Sequence, residues 1–87
     1  MYRLDHSIFV RKPYPGDVWI ERRLRYLARE HDRLHAGGIS LHYWRAAEIS
    51  YADFLATGDP KSRFHCWRSI AVASSWLAQV EAGKGAQ

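Results

Sequence analysis

The chain has 87 residues, which is enough for one domain with a single hydrophobic core. Its aromatic content of 14% argues against a disordered protein, and a formal net charge of +4 favours an acidic partner without demanding one. The single cysteine excludes an internal disulfide, and the apolar runs are too short to span a membrane. We therefore expect a cytoplasmic protein with no membrane segment.

Residues 1–16 are predicted to form an N-terminal arm and a turn. The segment 2–10 contains β-favouring side chains without regular alternation, so we expect an extended arm packed on the helices rather than a strand. Residues 12–16 combine two prolines with a glycine, a composition that predicts a stiff turn and excludes a helix.

The first helix is predicted to begin after Asp17, whose side chain is suited to an N-cap. It should end at Gly37 and Gly38, where a left-handed conformation costs little. Ser40 is then expected to cap a second helix, which runs to about Thr57.

The third helix is predicted to begin at Asp59 and Pro60, a cap followed by proline at the first helical position. It should continue to about Ala82 and stop at Gly83, with residues 84–87 as a tail. Because the connections are short, we predict an all-α fold, a three-helix bundle over residues 17–83 with an extended N-terminal arm.

The first helix has two faces of opposite character. At 100° per residue its apolar side chains and one histidine share one face, and four arginines share the other. The helix has five arginines and no lysine, and arginine is the residue suited to bidentate contacts with phosphate or carboxylate. We therefore expect a binding surface, with a solvated face as the alternative. The apolar face comprises Ile20, Leu24, Leu27, His31 and Leu34, and the arginine face comprises Arg22, Arg25, Arg29 and Arg33.

Glu48 is the unusual residue of the second helix, because it projects from the centre of an apolar face. A buried carboxylate must be paired or protonated. We expect Glu48 to be buried and to contact His31 or Arg23 of the first helix, as a structural polar contact rather than an acid/base dyad, since no nucleophile accompanies the pair. The apolar residues of this face are Leu41, Trp44, Ala47, Tyr51, Ala52 and Leu55.

The third helix is apolar on most of its sides, and we expect two of its stripes to be buried. His65, Val72 and Trp76 form a further arc that two helices and an arm are not expected to cover. We therefore predict an intermolecular surface there, for a partner or a homodimer, unless the arm folds over it. The two buried stripes are expected to be Cys66, Ile70, Ala73, Leu77 and Val80, and Phe64, Trp67, Ala71 and Ala78.

His31 and His35 stand one helical turn apart, with Asp32 between them. The string resembles the zincin motif, in which two histidines at this spacing bind zinc and a glutamate acts as the base. No third ligand stands at an expected position, so we predict a core histidine at His31 and neither a metal nor another cofactor. Third ligands from elsewhere in the chain would have to be His42, His65 or Cys66.

Residues 34–47 resemble a helix-turn-helix, with His42, Arg45 and Ala46 on the outer side of the second helix. Leu34 stands where that motif prefers a small residue, and the would-be recognition helix has one basic residue. DNA binding through this segment is therefore an alternative rather than the first prediction.

Together these features predict a small non-enzymatic helical binding module. We expect it to act as a regulator or inhibitor of a macromolecular partner, for example one encoded by a phage or a mobile element. The expected partner is a protein or nucleoprotein with an acidic surface. The alternatives are a nucleic-acid-binding regulator and a small metal-dependent enzyme that uses His31 and His35. The expected binding residues are Arg22, Arg25, Arg29, Arg33, His65, Val72 and Trp76.

Overall fold

The computed structural model describes residues 14–85, which form three helices. Helix α1 spans Val18–Leu34, α2 spans Gly38–Thr57 and α3 spans Pro60–Gly85. The predicted all-α three-helix fold is confirmed, and none of these helices is long and apolar enough to cross a membrane. Residues 1–13 of the predicted arm and turn lie outside the part of the chain that the structure describes.

The three helices run up, down and up. Ion pairs join α1 to α3 at both ends, from Arg63 to Asp17 at 2.6 Å and from Arg33 to Glu81 at 3.2 Å. These contacts show that α1 and α3 run parallel to each other. Helix α2 runs antiparallel to both, as the short connections on either side of it predict.

The beginnings of α1 and α3 are as predicted from their caps. The Asp17 carboxylate accepts hydrogen bonds from the backbone N–H groups of Trp19 at 2.9 Å and Ile20 at 3.3 Å. At the start of α3, the Asp59 carboxylate accepts from the N–H of Lys61 at 2.9 Å. Each aspartate satisfies donors that have no partner within the helix.

The left-handed cap of the first helix lies two residues earlier than predicted, at His35 instead of Gly37. Helix α1 ends at Leu34, and His35 adopts the left-handed conformation, with φ 50° and ψ 39°. The N–H of Ala36 then donates to the carbonyl of His31 at 2.9 Å, and that of His35 to Asp32 at 3.2 Å. These bonds satisfy the last carbonyls of the helix, so the stop does not need glycine.

Ser40 does not cap the second helix. Helix α2 begins at Gly38 with Gly37 as its N-cap, and no side chain caps it. Ser40 is instead buried in the first turn, where its hydroxyl lies 3.1 Å from His31 Nε2 and 3.3 Å from the carbonyl of Gly37. The hydrogen bond with His31 holds this hydroxyl in the core.

Gly83 does not stop the third helix, which continues to Gly85. A glycine in a helix costs about 1 kcal/mol relative to alanine but does not prevent helical dihedrals. The end of α2 is as predicted, because Gly58 adopts the left-handed conformation with φ 72° and follows Thr57 directly. An added Cβ there would lie 3.1 Å from Cε1 of Tyr14, so this glycine also admits the Tyr14 ring.

The core lies where the three helices meet. The predicted apolar face of α1 is buried there, which confirms that prediction. The first predicted stripe of α3 is also buried, except for Val80, which is half-buried. The prediction that the second stripe of α3 is buried is wrong. Phe64 is 63% exposed, Ala71 and Ala78 are exposed, and only Trp67 packs against the core. Both neighbouring helices contact one side of α3, which leaves the second stripe facing solvent. The buried apolar residues are Ile20, Leu24, Leu27, Leu34, Trp44, Ala47, Tyr51, Leu55, Cys66, Ile70, Ala73 and Leu77.

The contact of Asp17 with Arg63 predicts a loss of stability in acid. Burial raises the pKa of Asp17, but the hydrogen bonds from Arg63 and from the α1 backbone outweigh it and hold the pKa below its usual value. A carboxylate with a lowered pKa stabilises the fold above the unfolded-state pKa of about 3.9, and this contribution is lost as the pH falls through the folded-state pKa.

We therefore expect the free energy of unfolding, measured with urea, to decrease between pH 6 and pH 3. Asparagine is an equally good N-cap without a titrating group, so Asp17→Asn should lose less stability over the same range. Glu30, whose pKa is also lowered by its hydrogen bond with Arg33, titrates in both proteins and cancels in the comparison. An identical acid loss in both proteins would contradict the role of Asp17.

Candidate binding groove

An open groove of about 840 Å³ runs along α1 and is completed by one side chain of α3. Its α1 residues all fall between positions 19 and 29, which corresponds to about 15 Å along a helix axis. The parallel arrangement of α1 and α3 places Trp67 beside them. The described residues that line the groove are Trp19, Arg22, Arg23, Arg25, Tyr26, Arg29 and Trp67.

The arginines and aromatic rings of the groove are in direct contact. The guanidinium carbon of Arg22 lies 5.2 Å from the centre of the Trp19 ring, and that of Arg23 lies 5.6 Å from the centre of the Tyr26 ring. Both pairs are three residues apart on one helix, so the helical repeat alone brings them together. Stacking on a ring holds each guanidinium while leaving its N–H groups at the edge available to an anion.

The groove is accessible and its charge has one sign. Trp19 is 65% exposed and Tyr26 is 42% exposed, whereas Trp67 is half-buried and also packs against the core. Among the described residues that line the groove none is acidic. The arrangement can therefore hold an anionic group and an apolar, planar group side by side.

Arg33 belongs to the predicted arginine face but not to the groove lining. Its guanidinium bonds to Glu30 at 2.7 Å and to Glu81 of α3 at 3.2 Å. These carboxylates, Glu30 first, raise the pKa of Arg33 above its ordinary value. Three of the four predicted arginines thus line the groove, and the fourth forms ion pairs within the bundle.

Four residues of the groove are absent from the predicted binding residues, namely Trp19, Arg23, Tyr26 and Trp67. Arg23 flanks the apolar face of α1, and its spacing from Tyr26 was the available signal. Trp67 was assigned to a buried stripe of α3, and nothing in the spacing of the chain indicates that it meets the arginines.

The predicted arc of α3 lies apart from the groove. Trp76 is 40% exposed, His65 is exposed and stands edge-on to Phe64 at 5.9 Å, and Val72 is half-buried. By the helical repeat these three residues project on a different side of α3 from Trp67. Their role in binding a partner or a second copy stays a prediction.

His31 is a core histidine, as predicted. It is buried, stacks on Trp44 with 5.7 Å between ring centres, and donates from Nδ1 to the carbonyl of Leu27 at 2.7 Å. His35 is exposed at the end of α1, and both histidines border a smaller cavity of about 470 Å³. Within residues 14–85 no group of three side chains is placed to hold a metal ion.

Glu48 is buried, with 2% of its surface exposed, as its position predicts. The two ring nitrogens of His31 bond to Leu27 and Ser40, so the imidazole has no nitrogen left for Glu48. The guanidinium of Arg23, the other predicted partner, lies over Tyr26 in the groove.

Cys66 is buried, and burial raises the pKa of its thiol to about 12. This cysteine is protonated at neutral pH and acts as a small apolar residue in the core.

The segment that resembles a helix-turn-helix includes the start of α2, which is helical from Gly38 onward. Trp44 points inward and His42 and Arg45 are exposed on α2, with Ala46 half-buried. The groove, however, gathers four arginines, whereas this side of α2 has Arg45 as its basic residue.

No family model, curated protein or solved structure matches the chain.

Proposed function

We propose that the protein is a non-enzymatic binding module that holds an anionic macromolecular partner in the groove along α1. The observation that carries this proposal is the set of four arginines and three aromatic rings around one open groove. Such a module acts as a regulator or inhibitor by occupying the surface of its partner.

The chemistry of the groove supports binding rather than catalysis. The described lining residues are arginines, tryptophans and a tyrosine, and they include no carboxylate, imidazole, thiol or aliphatic hydroxyl. Acid/base and nucleophilic catalysis rely mainly on those groups. Arginine and aromatic side chains are, in contrast, the residues enriched at binding surfaces.

Charge reversal at Arg25 and Arg29 should separate binding from folding. Both side chains are exposed and line the groove, so the double substitution to glutamate should leave the helical circular dichroism unchanged. It should weaken binding of polyanions by about 2–4 kcal/mol, because two charge-assisted contacts become repulsive. Fluorescence anisotropy with labelled oligonucleotides and with labelled polyglutamate measures this change.

The matched control is Lys61→Glu with Arg68→Glu. Both residues are exposed on α3 and lie outside the described lining, and the control changes the net charge by the same amount. It should weaken binding much less than the groove variant. Equal losses in the two proteins would reduce the groove to an ordinary part of a basic surface and refute the proposed function.

A further inference from the structure

We infer that the partner held in the groove is single-stranded nucleic acid, with bases stacked on the aromatic rings and phosphates bound by the arginines. This inference rests on the proposed function and names its partner class. It starts from the placement of Trp19, Tyr26 and Trp67 among four arginines in one groove.

The aromatic rings distinguish this groove from a simple anion site. Trp19 presents most of its surface to solvent although burial would stabilise it, and Tyr26 is also exposed on the same helix. Stacking of bases on such rings, together with a positively charged groove, is the common basis of single-strand binding. The stacked pairs of Arg22 with Trp19 and Arg23 with Tyr26 place a cation directly against each ring.

A single strand satisfies both kinds of side chain at once. Its phosphates match the guanidinium groups, and its unpaired bases offer planar faces to the rings. In a duplex the bases are stacked inside and do not reach Trp19. An acidic peptide supplies carboxylates to the arginines, but it brings no regular planar surface for three aromatic rings.

The choice of arginine also favours nucleic acid. All the cationic residues described in the lining are arginines, which combine phosphate binding with stacking on bases. They extend from Arg22 to Arg29, about 10 Å of helix, so more than one phosphate of the same strand can be contacted. Binding should therefore weaken steeply as salt concentration rises, in proportion to the number of phosphates neutralised.

The test compares three labelled probes by fluorescence anisotropy at about 0.1 M salt. They are an oligothymidine of about 15 nucleotides, a duplex of the same length and polyglutamate. We expect the wild-type protein to bind the single strand about tenfold or more tightly than either other probe. Tryptophan fluorescence should also be quenched by the single strand, as stacking requires.

The decisive variant is Trp19→Leu, because Trp19 is exposed and its loss should not unfold the bundle. It should weaken single-strand binding about tenfold while leaving the salt dependence unchanged, since the phosphate contacts remain. Phe64→Leu is the matched control. Phe64 is equally exposed and aromatic but lies outside the described lining, so this variant should bind as the wild type does.

The outcomes separate this inference from the proposed function. Equal affinity for single strand, duplex and polyglutamate, or full affinity of Trp19→Leu, would overturn the inference. The proposed function would survive either result if charge reversal at Arg25 and Arg29 still weakened binding. Preference for polyglutamate would replace nucleic acid by an acidic protein as the partner. Absence of binding to all three probes would overturn both proposals.

Discussion

Replacing Trp44 by alanine is expected to destabilise the protein by about 3–5 kcal/mol, as large-to-small core substitutions of aromatic residues do. Trp44 is fully buried at the centre of the bundle, and its ring stacks on His31. Its indole N–H donates to the backbone carbonyl of Leu24 at 3.2 Å, which ties α2 to α1. The substitution opens a cavity and removes this bond together with the stacking contact.

Urea unfolding monitored by far-ultraviolet circular dichroism measures the effect. A domain of this length has a free energy of unfolding of about 4–13 kcal/mol, so Trp44→Ala should lose a large share of it and unfold at a much lower urea concentration than the wild type. Trp44→Phe keeps most of the volume and loses the hydrogen bond, which should cost about 1–2 kcal/mol.

Trp19→Ala provides the matched control for Trp44→Ala. The same side chain is removed, but Trp19 is mostly exposed, so the change in stability should stay below about 1 kcal/mol. Similar losses from the two substitutions would show that Trp44 does not hold the core together.

The helix boundaries that follow from local chemistry could be predicted, and those that depend on packing could not. Asp17 and Asp59 cap the helices that follow them, because a cap bonds to residues two or three positions away. Ser40 has the side chain of a cap but turns into the core toward His31, nine residues earlier. Such a contact depends on how two helices pack, which local spacing does not determine.

The residues of the candidate site also fall into two groups, those that the sequence predicts and those whose position depends on how the helices pack. The helical repeat alone predicts that Arg22, Arg25 and Arg29 share a face, and the structure places them in one groove. Arg33 has the same periodicity, but Glu81 approaches it from α3. That pairing follows from the parallel arrangement of α1 and α3, as does the position of Trp67. Periodicity therefore predicts which side chains share a face of one helix, but not which side chains of a neighbouring helix contact that face.

The junction at the start of α1 depends on a buried hydroxyl group, so Tyr51→Phe should destabilise the fold by about 1–3 kcal/mol. Tyr51 is fully buried on α2. Its hydroxyl accepts a hydrogen bond of 2.9 Å from the backbone N–H of Asp17 and donates one to the carboxylate of Glu21. Burial, and then the bond to Glu21, raise the pKa of Tyr51, so the hydroxyl remains a donor at neutral pH.

Phenylalanine fills the same space, so the loss measured by urea unfolding reports the hydroxyl and not the packing. Tyr26→Phe is the control, because Tyr26 lies exposed on α1 and should change the stability by less than about 0.5 kcal/mol. In a double-mutant cycle with Glu21→Ala, the two substitutions should be non-additive by about 0.5–3 kcal/mol, since each of them removes the same bond. Additive effects, or a Tyr51→Phe variant as stable as the wild type, would show that this bond does not anchor α1 to α2. The start of α1 would then be held by the Asp17 cap and by the ion pair of Asp17 with Arg63.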